Sequence, residues 1–214
     1  GKGFTGIKIK VGKDAPDQST LERVQAIAEA VGPDFEMVLD ANGGFRRHPD
    51  LIGLAEQLSD YRVTMLEDPL PRSEHAATAE LRQRIPIPIA YHALNLEQAF
   101  QAVRQDACDF MNVGVGSLAQ FVRQADLADA AGVPSWHGSA QELGIRDAAY
   151  MHACAATPGC TISSDILHHL WEDDLIAQPI EIRAGQARVP ESSGLGVELD
   201  RDALERYGVN TFTL

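Results

Sequence analysis

The run Gly6-Ile7-Lys8-Ile9-Lys10-Val11 alternates apolar and basic residues at period two. It reads as a strand with Ile7, Ile9 and Val11 on one face and both lysines on the other. Downstream, Leu21, Val24, Ile27, Ala28 and Val31 form an apolar stripe at helical period, with Ser19 or Thr20 placed to cap it. This strand-then-helix unit repeats. Apolar or β-branched runs recur at 35–39, 63–66, 87–90, 108–113, 133–136 and 160–163, so that seven strand candidates are visible. Leu51, Leu54, Ala55 and Leu58 form the stripe of the next helix, and Leu118, Phe121, Ala125, Leu127 and Ala128 that of a later one. Strand starts roughly 20 to 30 residues apart match βα units with short loops.

Regular alternation of strand and helix predicts an α/β fold with a parallel sheet covered by helices. Two architectures compete, an open doubly wound sheet and a (β/α) barrel. Val11-Gly12-Lys13-Asp14 stands where the first turn of a dinucleotide fold carries its Gly-rich fingerprint, which weakens the open sheet. The barrel makes a sharper forecast: chemistry at the C-terminal tips of several strands. The 214 residues, 44% of them hydrophobic, supply one sizeable core. A charged fraction of 23% without low-complexity tracts excludes disorder, and no apolar run approaches a membrane span. The net charge of −13 argues against nucleic acid or an anionic membrane as partner. Cys108, Cys154 and Cys160 form no CxxC, so reduced thiols in a cytoplasmic protein are expected.

Read in order, the strand tips carry Lys8 and Lys10, Asp40, Glu67 with Asp68, His92, Asn112 to Gly114, His137 and Asp165. In a barrel they converge on one mouth. If Ile7, Ile9 and Val11 face the helices, both lysines point inward, where ammonium groups need carboxylates or a bound anion. Crowding by like charge would also lower a lysine's pKa, as a general base requires. Asp40 and Glu67 on neighbouring strands suit a hard divalent cation such as Mg²⁺. Asp68, before Pro69, reads as a turn former.

The strings Gly-Ile-Lys8-Ile-Lys10-Val-Gly, Leu-Asp40-Ala-Asn42-Gly, Leu-Glu67-Asp-Pro and Pro-Ile-Ala, in this order and spacing, resemble the mandelate racemase/muconate lactonizing branch of the enolase superfamily. The resemblance runs on into the tail, from Gln178-Pro179-Ile180 to Gly194-Leu195-Gly196-Val197. It implies a TIM-like (β/α)₇β barrel, of which the first strand and an α+β capping domain would precede Gly1. Residues 1–190 would then be the incomplete barrel, and 191–214 a C-terminal segment packing back toward the capping domain. The activity implied is removal of the proton α to a carboxylate, with Mg²⁺ stabilising the enediolate. Asp40 and Glu67 map onto the first two metal ligands. Lys10 becomes the base and Lys8 the group that polarises the substrate carboxylate. Asn42 and Asp165 become substrate contacts, and a homo-oligomer is expected of the full-length protein.

Two departures from the family pattern bear on the chemistry. His92 stands where the third acidic ligand belongs, in Pro88-Ile89-Ala90-Tyr91-His92. It could ligate Mg²⁺ or a softer ion such as Mn²⁺, act on the substrate, or mark a lost ligand. Gly114, in Asn112-Val113-Gly114, stands where muconate-type relatives carry a second lysine on the opposite face of the substrate. With that base absent, loss of a β-hydroxyl needs one base and one acid, assigned to Lys10 and His137. Acid-sugar dehydration is therefore expected ahead of racemisation, epimerisation or cycloisomerisation. A relative that binds a carboxylate without turning it over is the remaining alternative. His152 reads as structural, and His168 and His169 as loop residues without a fixed role.

Overall fold

The computed structural model describes residues 2–12, 17–45, 50–114, 116–139, 142–165 and 170–208, and His168 and His169 lie outside them. Six parallel strands follow one another: β1 (Gly6–Lys10), β2 (Glu36–Asp40), β3 (Val63–Glu67), β4 (Ile89–His92), β5 (Phe110–Val113) and β6 (Ser135–His137). Each pairs with the next in sequence. Helices α1 (Asp17–Val31), α2 (Leu51–Leu58), α3 (His75–Arg82), α4 (Leu96–Arg104), α5 (Leu118–Ala130) and α6 (Gly144–Ala156) follow them in turn. A strictly sequential order has no switch point, which is how a barrel-type sheet differs from a doubly wound one. The hairpin of β7 (Ile182–Arg183) and β8 (Gln186–Ala187) comes next, and then helix α7 (Arg201–Tyr207).

The seventh expected strand is reduced to one bridge, Ser135 with Cys160. Its chain nevertheless runs beside β6, since Ile162 N–H donates to Ser135 O at 3.2 Å and Asp165 N–H to His137 O at 3.2 Å. Asp165 in turn lies 2.6 Å from the Nζ of Lys8 on β1. The sheet therefore curls until its first strand meets the segment beyond its last, giving a six-stranded half-barrel.

Period two along the strands divides two apolar layers. Outward residues such as Ile9, Leu39, Leu66, Ile89, Met111 and Val113 pack beneath the helices. Inside the curl, Met65, Ala90 and Trp136 pack with Val38, Phe110 and Ile162. Val38, Met65, Ala90 and Phe110 lie two residues before Asp40, Glu67, His92 and Asn112, so the polar tips stand on an apolar floor. Asp50, Asn95 and Ser117 cap α2, α4 and α5 through their side chains. The cap expected at Ser19 or Thr20 is not where α1 begins: the helix starts at Asp17, which puts both residues inside its first turn. Leu195 and Val197 pack with Ile176 and Ile180 against Ala148 and Met151 of α6.

Candidate active site

The inward stripe of β1 carries both lysines to the mouth of the curl. Lys8 sits lower, its side chain 20% exposed, and its Nζ reaches Asp165 Oδ2 at 2.6 Å, Glu67 Oε2 at 3.0 Å and Asp40 Oδ2 at 3.8 Å. Lys10, at the rim and 67% exposed, bonds the Asp40 carboxylate and Asn42 Oδ1, the latter at 3.1 Å. Four residues singled out in the sequence thus meet Lys8 or Lys10 directly, namely Asp40, Asn42, Glu67 and Asp165, and the two lysines share the Asp40 carboxylate. Register explains this, because Lys10 pairs with Asp40 and Asp40 with Glu67 across β1, β2 and β3.

The charge balance differs from the expectation of mutually repelling lysines. Burial works to lower the Lys8 pKa, but Glu67, Asp165 and Asp40 together carry it above the ordinary lysine value. Lys8 is therefore a fixed cation, suited to holding a carboxylate. Burial, helped by the charges of Asp40 and Asp68, pushes the Glu67 carboxyl up to about 7 against the pull of Lys8. A carboxyl raised this far, chiefly by burial, is one whose charged form a bound cation would favour.

Asp68, expected only to turn the chain, is 2% exposed and belongs to the site. It adopts φ +43°, as Asn42 does at +47°, and these left-handed residues bend the chain after β3 and β2. Arg72 Nε donates to Asp68 Oδ2 at 2.6 Å, and the His92 backbone N–H donates to Asp68 Oδ1 at 2.9 Å. Glu67, Asp68 and His92 each offer one ligand atom within 4.8 Å of the others. Burial first, then Arg72 and Lys8, push the His92 pKa down to about 3, so its imidazole is neutral, as a ligand must be. Its Nε2 is buried and finds no hydrogen-bond partner among the described residues. The raised carboxyl of Glu67 and an orphaned imidazole nitrogen beside the Asp68 carboxylate fit a divalent cation; Asp40, expected as the first ligand, is not one of these three. The mixed N/O donor set also suits Mn²⁺ or Zn²⁺.

Two further residues belong to the site: Asn112, named in the sequence only as a strand tip, and Arg72, which the sequence reading missed. Asn112 donates from Nδ2 to Glu67 Oε1 at 2.7 Å and is buried, orienting that carboxylate from β5. Arg72, in the loop before α3, also places Nη2 at 3.4 Å from His92 Nδ1. An asparagine on the inward stripe was a readable signal for the first; nothing in sequence pointed to the second.

His137 is not brought to the lysines. It pairs with Val113, an outward residue, and so shares its side of the sheet. There its ring stacks on Tyr150 of α6 at 3.7 Å between centroids and meets Phe121 of α5 edge-on. Strand parity thus sets the ring, expected to act as an acid, on the helix side of the sheet. Gly114 adjoins it: a Cβ there, at φ +136°, would fall 2.1 Å from His137 Nδ1. His152 Nε2 lies 3.2 Å from Leu195 O, a structural tie as expected.

Lysines and carboxylates gathered at the strand tips of a curled parallel sheet define a barrel-type domain with a polar mouth. Residues 1–203 match the Enolase C-terminal domain-like family, and the chain belongs to it, within the mandelate racemase/muconate lactonizing branch of the enolase superfamily. It is 30% identical over 206 residues to a chloromuconate cycloisomerase of Cupriavidus necator, covering 94% of this chain and 55% of that protein. An N-succinylamino acid racemase of Thermus thermophilus is 30% identical over 214 residues, covering 96% and 55%. The muconate lactonizing enzyme of Pseudomonas putida superposes with a TM-score of 0.89 at 24% identity, over 96% of this chain and 59% of that one. The chain spans about half the length of the curated relatives it matches.

Proposed function

We propose that this domain removes the proton α to a carboxylate in a small acid, with Lys10 as the base. The observation that carries the reading is the placement of Lys8 and Lys10 on one stripe against Asp40 and Glu67. Lys8, held charged by its carboxylates, binds and polarises the substrate carboxylate. Asn42 bonds the rim lysine through Oδ1 and would offer its N–H₂ group to substrate, while Asp165 sets the reach of Lys8. Asp40 and Glu67, with His92 as third donor and Asp68 beside them, would hold the cation, Mg²⁺ or Mn²⁺. When bound, that ion would draw off negative charge developing on the carboxylate oxygens.

Bases stand on one face only among the described residues, because Gly114 has no side chain and His137 turns to the helices. One-base chemistry follows. Lys10 takes the α-proton and can return it to a β-hydroxyl on the same face, which leaves as water. Acid-sugar dehydration is thus the reading kept ahead of racemisation. A second reading, cycloisomerisation, differs only in that the leaving oxygen stays tethered within the product; it is favoured by relatives named chloromuconate cycloisomerase and D-galactarolactone cycloisomerase. A cytoplasmic homo-oligomer is the setting we propose, with 191–208 lying toward the remainder of the molecule.

The test is incubation of the full-length protein with Mg²⁺ and a library of acid sugars, muconates and N-acylamino acids in D₂O. Deuterium at an α-carbon is expected. Loss of a β-hydroxyl supports dehydration, and ring closure or opening supports cycloisomerisation. Tight carboxylate binding without any exchange would leave a binding protein and overturn the proposal.

A further inference from the structure

Away from the lysines, a cavity of about 340 Å³ opens between α6 and the segment beyond β6, lined by His137, Tyr150, Cys154, Cys160, Ser163 and Ser164 among others. Two of the chain's three cysteines line it, and nothing in the proposed chemistry uses them. Cys154 lies in α6, and Cys160 is the residue that bridges Ser135. Both thiol-bearing residues line the same cavity and pack against the same core cluster, beside His137. Cys154 Sγ lies 3.8 Å from Ser164 Oγ. Both cysteines are partly exposed, so a small oxidant can reach them, whereas Cys108 is buried in the core. The pair is asymmetric. Hydrogen bonding from Cys160 holds the Cys154 thiol below its ordinary value, and its partner is pushed above it. A thiol so biased, next to a second thiol, is a nucleophile with a resolving partner in place.

We infer that Cys154 and Cys160 are a reversible redox pair whose disulfide ties α6 to the segment that carries Asp165, the partner of Lys8. The oxidant is a low-molecular-weight disulfide. The Cys154 thiolate attacks one of its sulfurs, forming a mixed disulfide and releasing one small thiolate. The Cys160 thiolate then attacks the Cys154 sulfur, closing the protein disulfide and releasing the second. The protein loses two electrons and two protons; the electrons reduce the small disulfide and the protons go to solvent or to the released thiolates. Since Ile162 and Asp165 bond β6 from the same segment, the cross-link should steady the clasp on Lys8.

The experiment treats the full-length protein with oxidised and reduced glutathione at set ratios and reads mass and amide exchange. No Lys or Arg lies between Arg146 and Arg183, so one tryptic peptide, 147–183, carries both cysteines. Expected is loss of two hydrogens from that peptide, reversed by dithiothreitol, with Cys108 unmodified. Slower amide exchange at Ile162 and Asp165 should accompany it. Cys160→Ser should instead keep a stable glutathione adduct on Cys154, and Cys154→Ser should react more slowly than the parent. A parent adduct that never resolves, oxidation of Cys108 at an equal rate, or a disulfide that leaves exchange at Asp165 unchanged would each overturn the inference. None of these readouts requires turnover, so failure of the proposed activity would be seen separately.

Discussion

Lys8 and Lys10 differ by one turn of the strand's pleat, and that small difference separates their roles. Lys8 lies among three carboxylates and is a permanent cation, while Lys10 stands at the rim beside Asp40 and Asn42. Lys10→Ala should therefore reduce α-proton exchange by roughly 10²-fold or more with little change in thermal stability. Exchange at the parent rate would move the base elsewhere. Glu67 offers a test without substrate. Its folded-state pKa of about 7 exceeds its ordinary 4.5, so the folded protein holds more protons in that window. Stability then falls as pH rises through it. In metal-free buffer, Glu67→Gln should gain on the parent from pH 4.5 to 7, by no more than about 1.4 kcal/mol per pH unit. Added Mg²⁺ should reverse the comparison, since it stabilises only the parent. His92, with a pKa pushed down to about 3, stays neutral through about pH 5 to 7. The expected weakening of metal binding as pH falls through that range would come from protonation of Glu67 and Asp68, raised to about 7 and about 6. His92→Asp should tighten Mg²⁺ in calorimetric titration, because hard oxygen replaces nitrogen. Unchanged affinity would remove His92 from the metal.

Strand tips and the loops after them were legible to different degrees. The lysine stripe and the acids ending β2 and β3 follow from period two, a local property of the chain. Asp68 was read as a turn former because Asp-Pro is a turn signal; its turn is real, at φ +43°, but the turn also buries its carboxylate in the site. Arg72 is a loop arginine whose partners come from β3 and β4, and no spacing within its own loop reveals them. The β5–α5 connection gives a further test. Gly114→Ala would place a Cβ 2.1 Å from His137 Nδ1 at a backbone angle alanine avoids. It should destabilise the protein by at least about 1 kcal/mol in urea unfolding and shift the His137 ring resonances. Unaltered stability would mean the connection relaxes freely.

Across the molecule, the contact of Lys8 with Asp165 joins the two ends of the curled sheet. Asp165→Ala should speed amide exchange at Ile162 and Asp165's neighbours while leaving α1 to α4 protected. Uniform loss of protection would mean the clasp supports the whole fold rather than one seam. The βα repeat, the inward lysines and the acids at successive tips could all be read without coordinates, since periodicity and strand order depend only on neighbours in sequence. The sides taken by residues at the sheet's far end could not. His137 stands one residue out of phase with the inward stripe, and only pairing with Val113 reveals that its ring joins the helices. Likewise the Lys8 charge state and the joining of His92 to Asp68 and Arg72 are set by residues distant in sequence. Burial and Coulomb fields sum over neighbours in space, and the chain brings those neighbours together only once the sheet has curled.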